Sequence, residues 1–279
     1  MRLGGPVFAP LTDPDAWVEA ARRHGYEAVF CPADDGPLEQ ATGCAKAAVR
    51  AGLLLAEVPA WSNPISTDDA KRRASIRRCQ ERLALADELG AHCCVNIAGS
   101  RGEQWDGPHP SHYDEDVFDL IVATVQEIID AVGPKRTFYT LETMPWTPPD
   151  SADSYLRLIR AVDRTGFGVH FDPVNLINSP ERYSRNGQLI EDFALRLGPH
   201  IKSCHAKDVT LHPRMLAHID EVRPGLGGLD YPAFLRALDR LDPELPLILE
   251  HLPNEEEYAL AARHIREVAR SLEGEHVAR

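Results

Sequence analysis

The sequence has no apolar run of the ~20 residues that a membrane-crossing helix needs, and none of signal-peptide length behind Met1-Arg-Leu-Gly-Gly-Pro6. It is short of basic residues: Lys and Arg number 30 against 43 Asp and Glu, for a formal net charge of -13 over 279 residues. That balance excludes a general nucleic-acid binder, whose hold on phosphates comes from clustered Lys and Arg. Its six cysteines show neither zinc-finger spacing nor the framework of a disulfide-rich secreted domain. Cys93 and Cys94 adjoin inside a strand-like run, so the cysteines are read as small buried core residues. No Gly-rich nucleotide turn follows the first strand-like segment. These absences leave a soluble, cytoplasmic protein that acts on neither membranes nor nucleic acids.

What the chain does have is a repeat of strand and helix. Strand-like runs at 3–8, 28–31, 53–58, 92–97, 138–142, 167–172, 201–205 and 247–250 are each followed by an amphipathic helical pattern. Helix signals punctuate the pattern, with Thr12-Asp-Pro14 opening the first helix and Gly90 closing the long one before it. At 43% hydrophobic the chain can bury a core, and no change of composition marks a linker. Eight βα units predict one domain over 1–279, a closed (β/α)8 TIM barrel of the α/β class. A doubly wound open sheet is the alternative. Two polar loops, 101–112 and 173–183, are longer than packing requires, and the segment from 209 to 228 reads as irregular.

The last four strand-like runs end in potential ligands: Glu142, Asp172, His205 and Glu250. In a parallel barrel the chemistry sits at the C-terminal strand ends, and consecutive strands bring those ends to one side of the mouth. Three carboxylates and an imidazole make a hard site for one divalent ion, Mn2+ first, with Mg2+, Co2+, Fe2+ or Zn2+ as alternatives. An ion with four protein ligands keeps positions open for two neighbouring sugar oxygens. Polarising a carbonyl and its adjacent hydroxyl acidifies the C–H between them and stabilises an enediolate.

This strand-end set resembles the xylose isomerase-like barrel superfamily, in particular its sugar phosphate isomerase/epimerase branch of ketose 3-epimerases, hydroxypyruvate isomerases and inosose dehydratases. The phrases His205-Ala-Lys-Asp208, Pro224-Gly-Leu-Gly-Gly-Leu-Asp-Tyr231 and Leu249-Glu-His251 are similar to that branch, and the resemblance covers nearly the whole chain. It implies one divalent metal on Glu142, Asp172, His205 and Glu250, with Glu142 and Glu250 doubling as the acid/base pair, and assembly as a homodimer or homotetramer. The chain departs from ketose 3-epimerases at Asn175, where they carry a substrate-binding histidine, at Pro148, where they carry glutamate, and at Leu211, where they carry arginine. These departures point away from free ketohexoses. Lys207 instead is similar to the inosose dehydratase pattern and is read as a third catalytic residue. The superfamily's three-zinc endonucleases need a histidine after strand seven that Asp230-Tyr-Pro232 lacks.

Glu57 and Asn96, at the ends of strands three and four, are candidate substrate contacts, as are Asn175 and Arg223. Trp61, Trp105 and Trp146 fall in segments that should ring the mouth, with Trp105 and Trp146 taken as substrate-binding. His109 and His112 suggest a lid, His170 a partner behind the ligands, and His251, which should point away from Glu250, a structural residue. The reading is a metal-dependent isomerase or epimerase of a sugar or keto-sugar. The alternatives are a lyase or dehydratase on a keto-cyclitol or 3-keto-glycoside and a non-catalytic sugar-binding subunit.

Overall fold

Short apolar strands separated by well-capped helices dictate the architecture. The computed structural model describes residues 1–277, so the last two residues of the expected domain lie outside the described ones. The strands are β1 (Arg2–Gly4), β2 (Ala28–Val29), β3 (Leu54–Leu55), β4 (Glu57–Pro59), β5 (Cys93–Asn96), β6 (Phe138–Glu142), β7 (Phe167–Phe171), β8 (Ile201–Ala206), β9 (Asp208–His212), β10 (His218–Val222) and β11 (Pro246–Leu249). The helices are α1 (Pro14–Arg23), α2 (Leu38–Arg50), α3 (Asp69–Leu89), α4 (Glu115–Val132), α5 (Ala152–Val162), α6 (Pro173–Leu176), α7 (Pro180–Ser184), α8 (Asn186–Leu197), α9 (Tyr231–Leu241) and α10 (Glu255–Val277). None of them is long and apolar enough to cross a membrane.

The sheet runs β3-β2-β1-β11-β8-β7-β6-β5-β4, parallel throughout. Its two ends are one stretch of chain. Between β3 and β4, Ala56 donates its N–H to Val29 O at 2.8 Å and accepts from Cys93 N at 3.1 Å. The third stave therefore bridges β2 and β5, and eight staves close a (β/α)8 TIM barrel. Close packing inside the ring explains Gly4, where a Cβ would sit 2.2 Å from Ala28 O.

Helix ends follow the side chains. Asp13 caps α1 through Ala16 N with Pro14 behind it, and Asp68 caps α3 through Ala70 N and Lys71 N. Gly90 takes the left-handed conformation (φ 73°) that ends α3. The outer faces of the staves and inner faces of the helices form one continuous core, and all six cysteines are buried in the fold as free thiols.

The expected layout differs in three places. Several strands are shorter than their apolar runs, β1 stopping at Gly4 and β2 at Val29. The loop after β7 contains the short helices α6 and α7. The segment after Lys207, expected to be irregular, begins with a separate antiparallel hairpin in which His218 pairs with His212 and Val222 with Asp208.

Candidate metal centre

Glu142 closes β6, His205 lies in β8, and Asp172 and Glu250 follow the last residues of β7 and β11. Each of the four offers one ligand atom, and these atoms all lie within 4.8 Å of one another. His205 Nδ1 is 2.9 Å from Glu142 Oε1, 2.8 Å from Glu250 Oε1 and 3.9 Å from Asp172 Oδ2. Asp172 divides its carboxylate between two tasks. Its Oδ1 caps α6, accepting from Val174 N at 2.9 Å and Asn175 N at 3.3 Å. Its Oδ2 and Glu250 Oε1 are buried without a hydrogen-bond donor. Buried carboxylate oxygens need a cation beside them, and three carboxylates converging with an imidazole make a donor set that fits a hard divalent ion.

Lys207 is 2% exposed and stands in the middle of this set. Its Nζ lies 2.6 Å from Glu250 Oε1, 2.8 Å from Asp172 Oδ2, and 3.7 Å from both Glu142 Oε1 and Glu221 Oε2. The two short contacts are ion pairs not aligned as hydrogen bonds, which reconciles them with the unpaired oxygens. Asp208, the neighbour Lys207 could have paired with, accepts instead from the backbone N–H groups of Val209, Gly225, Gly227 and Leu229. A Cβ at Gly227 would lie 2.3 Å from Asp208 Oδ1, so this clamp needs glycine. Tyr231 closes it by donating its hydroxyl to Lys207 O at 2.7 Å. The two phrases singled out in the sequence are thus one structure that presents Lys207.

Charge in this buried set is shared unevenly. Burial raises Asp172 to about 7 against the pull of Lys207, with Glu142 and Glu250 adding to the rise. Burial would raise Glu250 and Glu142 as well, but His205 and Lys207 outweigh it and hold both below the usual carboxylate range. Burial disfavours the charged forms of His205 and Lys207, yet the surrounding carboxylates raise both well above their ordinary values. Before an ion binds, Asp172 and His205 therefore carry protons near neutrality, and these must leave. Metal affinity is expected to rise between about pH 6 and about pH 8, with proton release visible by titration calorimetry in buffers of different ionisation enthalpy. Affinity independent of pH over that range would contradict this charge assignment.

Behind His205 lies a second row. Glu57, buried on β4, faces His205 Nε2 at 3.3 Å through Oε1, while Oε2 meets His170 Nε2 at 2.9 Å and accepts from Ser203 Oγ at 3.0 Å. Burial would raise Glu57, but the two histidines bring it down to about 2. Glu57, expected at the substrate, is instead committed to orienting ring nitrogens under the site. Its strand turns the carboxylate into the barrel. His170 occupies the partner position expected of it. These three residues could themselves ligate an ion, but three donors already engage the carboxylate. Glu57→Gln is expected to weaken metal binding by about 10–100-fold with the fold intact, measured by competition with a chelating dye. Unchanged affinity would mean that Glu57 does not set the orientation of His205.

Above the ligands opens a cavity of about 520 Å³, bordered by Trp61, Trp105, Trp146, Asn175, Glu221 and His251 among others. Trp105 and Trp146 both border the cavity as expected, and Trp146 Nε1 donates to Asp106 O at 2.9 Å. Asn175 donates to Glu142 Oε1 at 3.1 Å. Besides Glu57, two further expectations fail. Asn96 is fully buried away from the cavity, accepting from Ser62 N at 3.1 Å and reaching Cys79 Sγ of α3 at 3.2 Å, because its place on β5 turns it toward the helix layer. Arg223 also stays outside the cavity, with Nε 2.7 Å from Glu257 Oε2 of α10, held there as an ion pair. His112, read as part of a lid, braces its loop by contacting Thr147 Oγ1 at 2.7 Å and accepting from Arg101 N.

Sequence reasoning missed Glu221 and misplaced His251. β11 ends at Leu249, and the backbone takes the left-handed conformation at His251 (φ 59°), so the ring meets Glu221 Oε2 through Nδ1 at 3.2 Å. The signal for Glu221 was the strand-like stretch His218-Ile-Asp-Glu-Val222, whose register only the hairpin reveals.

Residues 18–268 match the family described as xylose isomerase-like TIM barrel. No functionally curated protein matches the sequence. Among solved structures, a D-tagatose 3-epimerase-like protein superposes with a TM-score of 0.72 at 18% identity, covering 99% of this chain and 99% of that one. The probable 3-DHS dehydratase AsbF of Bacillus anthracis, involved in petrobactin synthesis, gives 0.69 at 15% identity over 96% and 98%. A xylose isomerase-like TIM barrel protein from Mycobacterium smegmatis, solved in complex with magnesium, gives 0.67 at 15% identity over 95% and 89%. Likeness at such identities is one of fold. With the family match spanning most of the chain, the closed barrel and its ligand cluster at the strand ends, this protein belongs to the xylose isomerase-like TIM barrel family.

Proposed function

We propose that the protein is a divalent-metal-dependent isomerase or epimerase of a small sugar or keto-sugar, working through an enediolate. The observation that carries this reading is the convergence of one ligand atom each from Glu142, Asp172, His205 and Glu250, all within 4.8 Å of one another, at the cavity floor. A divalent ion on these four residues, Mn2+ first and Mg2+, Co2+, Fe2+ or Zn2+ after it, would supply Lewis acidity to a carbonyl and its neighbouring hydroxyl.

The rest falls to the chain. Glu142 and Glu250 come from staves separated by β7 and β8, so their carboxylates approach a bound carbon from different sides. One takes the proton from the carbon beside the carbonyl and the other returns it. Asn175, hydrogen-bonded to Glu142 Oε1, fixes the first of them. The buried Lys207 ammonium offsets the negative charge that grows on substrate oxygen. The tryptophans exclude water from the same space.

Lys207 also favours a second reading. A buried ammonium beside the acid/base pair suits expulsion of a β-oxygen, so the same first step could end in elimination from a keto-cyclitol or 3-keto-glycoside. Product analysis separates the two, because loss of water or of an aglycone means lyase. We further propose assembly as a homodimer or homotetramer, to be read from light scattering.

The test is proton exchange. Protein loaded with Mn2+ is incubated in D2O with a panel of keto-sugars and inososes, then NMR is recorded after removal of the ion. Deuterium at the carbon next to the carbonyl of one substrate class is the expected result. Absence of exchange across the panel, with the ion bound, would sink the reading.

A further inference from the structure

Two polar side chains at the cavity have no part in the ligand set or the acid/base pair. Glu221 stands on the hairpin strand β10, and His251 follows Glu250 in the left-handed conformation (φ 59°), which a non-glycine residue adopts only when its surroundings hold it there. What holds it is Glu221, whose Oε2 takes Nδ1 at 3.2 Å. With a carboxylate on Nδ1, the ring's second nitrogen is left for another partner. It lies 3.8 Å from Glu250 Oε2, too far for a hydrogen bond. Glu221 likewise has Oε1 to spare. The strained turn thus aims two hydrogen-bonding groups at whatever sits beside the ligands.

The charges say what that is not. Glu142, Glu250, Glu221 and Asp106 border the cavity, and its cations are Lys207, already surrounded by Asp172 and Glu250, and His251, held by Glu221. No arginine borders it among the described residues. A phosphate group of about -2 charge would meet carboxylates with no free cation. Size and surface say the rest. At about 520 Å³ the cavity falls in the range of roughly 300–1,000 Å³ that takes drug-sized molecules. That is room beyond a single six-carbon sugar, and three tryptophans give flat apolar faces on which a ring can lie.

We infer that Glu221 and His251 are substrate-binding residues, and that the substrate is an uncharged keto-glycoside whose ketone-bearing sugar ring lies over the ligand cluster while a second ring lies among Trp61, Trp105 and Trp146. This rests on the sugar-directed reading above and sharpens it, since a sugar phosphate is excluded. The two hydroxyl-reading residues act through hydrogen bonds to the sugar ring.

The experiment is binding to the Mn2+-loaded protein, followed by tryptophan fluorescence and calorimetry. The probes are phenyl glycosides of common hexoses and pentoses carrying a ring ketone, disaccharides with the same ketone, the free keto-sugars and their phosphates. Expected is a glycoside binding about tenfold or more tighter than its free sugar and its phosphate, with Glu221→Gln and His251→Ala each weakening it by about tenfold while metal stoichiometry holds. Phenyl glycosides against disaccharides tell whether the second ring is aromatic or a sugar. Tighter binding of a phosphate, equal binding of free sugar and glycoside, no binding by any probe, or insensitivity to both substitutions overturns the inference. Because the readout is binding, glycoside binding without deuterium exchange removes only the proposed chemistry, whereas exchange confined to phosphates removes only this inference.

Discussion

Glu250→Gln, assayed with saturating Mn2+ and measured metal content, is expected to lower kcat by about 10²–10⁴-fold, the contribution of a positioned acid/base group. The amide keeps the shape and one oxygen donor but cannot carry a proton. Glu142→Gln should cost a comparable factor, because a proton removed on one side is of no use unless the other side returns one. The double variant should then be little worse than either single one, as for residues that act as a unit. Solvent exchange sharpens the test: each single variant that still binds substrate should fail to place deuterium in product. If either variant turns over like wild type at full metal occupancy, the acid/base pair is misassigned.

Lys207→Met is the second large effect, and it falls on stability. In the metal-free protein the ammonium lies within 4 Å of Glu142, Asp172 and Glu250 alike, as protonated His205 also does. Removing one partner of a buried ionic cluster costs roughly 3–5 kcal/mol, which for a chain of this length lowers Tm by on the order of 10 °C. Asp172 softens the loss. Its folded-state value, raised to about 7, means that the folded protein binds more protons than the unfolded chain above the ordinary aspartate range. Its contribution is therefore present at lower pH and lost as pH rises through about 7, so the variant's deficit should grow over the same window. Mn2+ brings two positive charges to the same carboxylates and should recover most of the difference. Scanning calorimetry with and without the ion reads both effects. Equal melting of the metal-free variant and wild type would show that Lys207 is not the compensating charge.

Much of this was legible in the residues. Eight apolar runs, each with a helix behind it, determine a closed parallel sheet, and three acids and a histidine at the ends of four consecutive staves determine where its site lies. Two of the misreadings share one cause: a polar residue on a stave can turn into the barrel, over its mouth or toward the helices, and alternation alone does not say which; Arg223 was instead drawn away by Glu257. In the sequence Glu57, Asn96 and the site ligands look equivalent as polar residues of strand-like runs, yet Glu57 serves His205 and His170, and Asn96 serves Ser62 and Cys79. His251 was assigned by extending β11 two residues past its end at Leu249. The backbone had already left the strand, and only the contact with Glu221 from a distant hairpin reveals why. Asp208 and the glycines of Pro224-Gly-Leu-Gly-Gly-Leu-Asp-Tyr231 were noticed as a phrase. Their meaning, a carboxylate gathering four amides, needed the loop's fold.

The buried cysteines have a practical consequence. Cys31, Cys44, Cys79, Cys93, Cys94 and Cys204 are spread over β5, β8, α2, α3 and the stretch after β2. Burial lifts the Cys31 thiol to about 12 and the Cys204 thiol higher still, so neither presents a thiolate in the folded protein. An alkylating reagent can reach such sulfurs only when the local structure opens, which makes each thiol a clock for its own stretch of chain. Pulsed labelling read by mass spectrometry would then rank the staves by how often they open. An ion that ties β6, β7, β8 and β11 together should slow the Cys204 clock, one residue from His205, far more than that of Cys44 on α2.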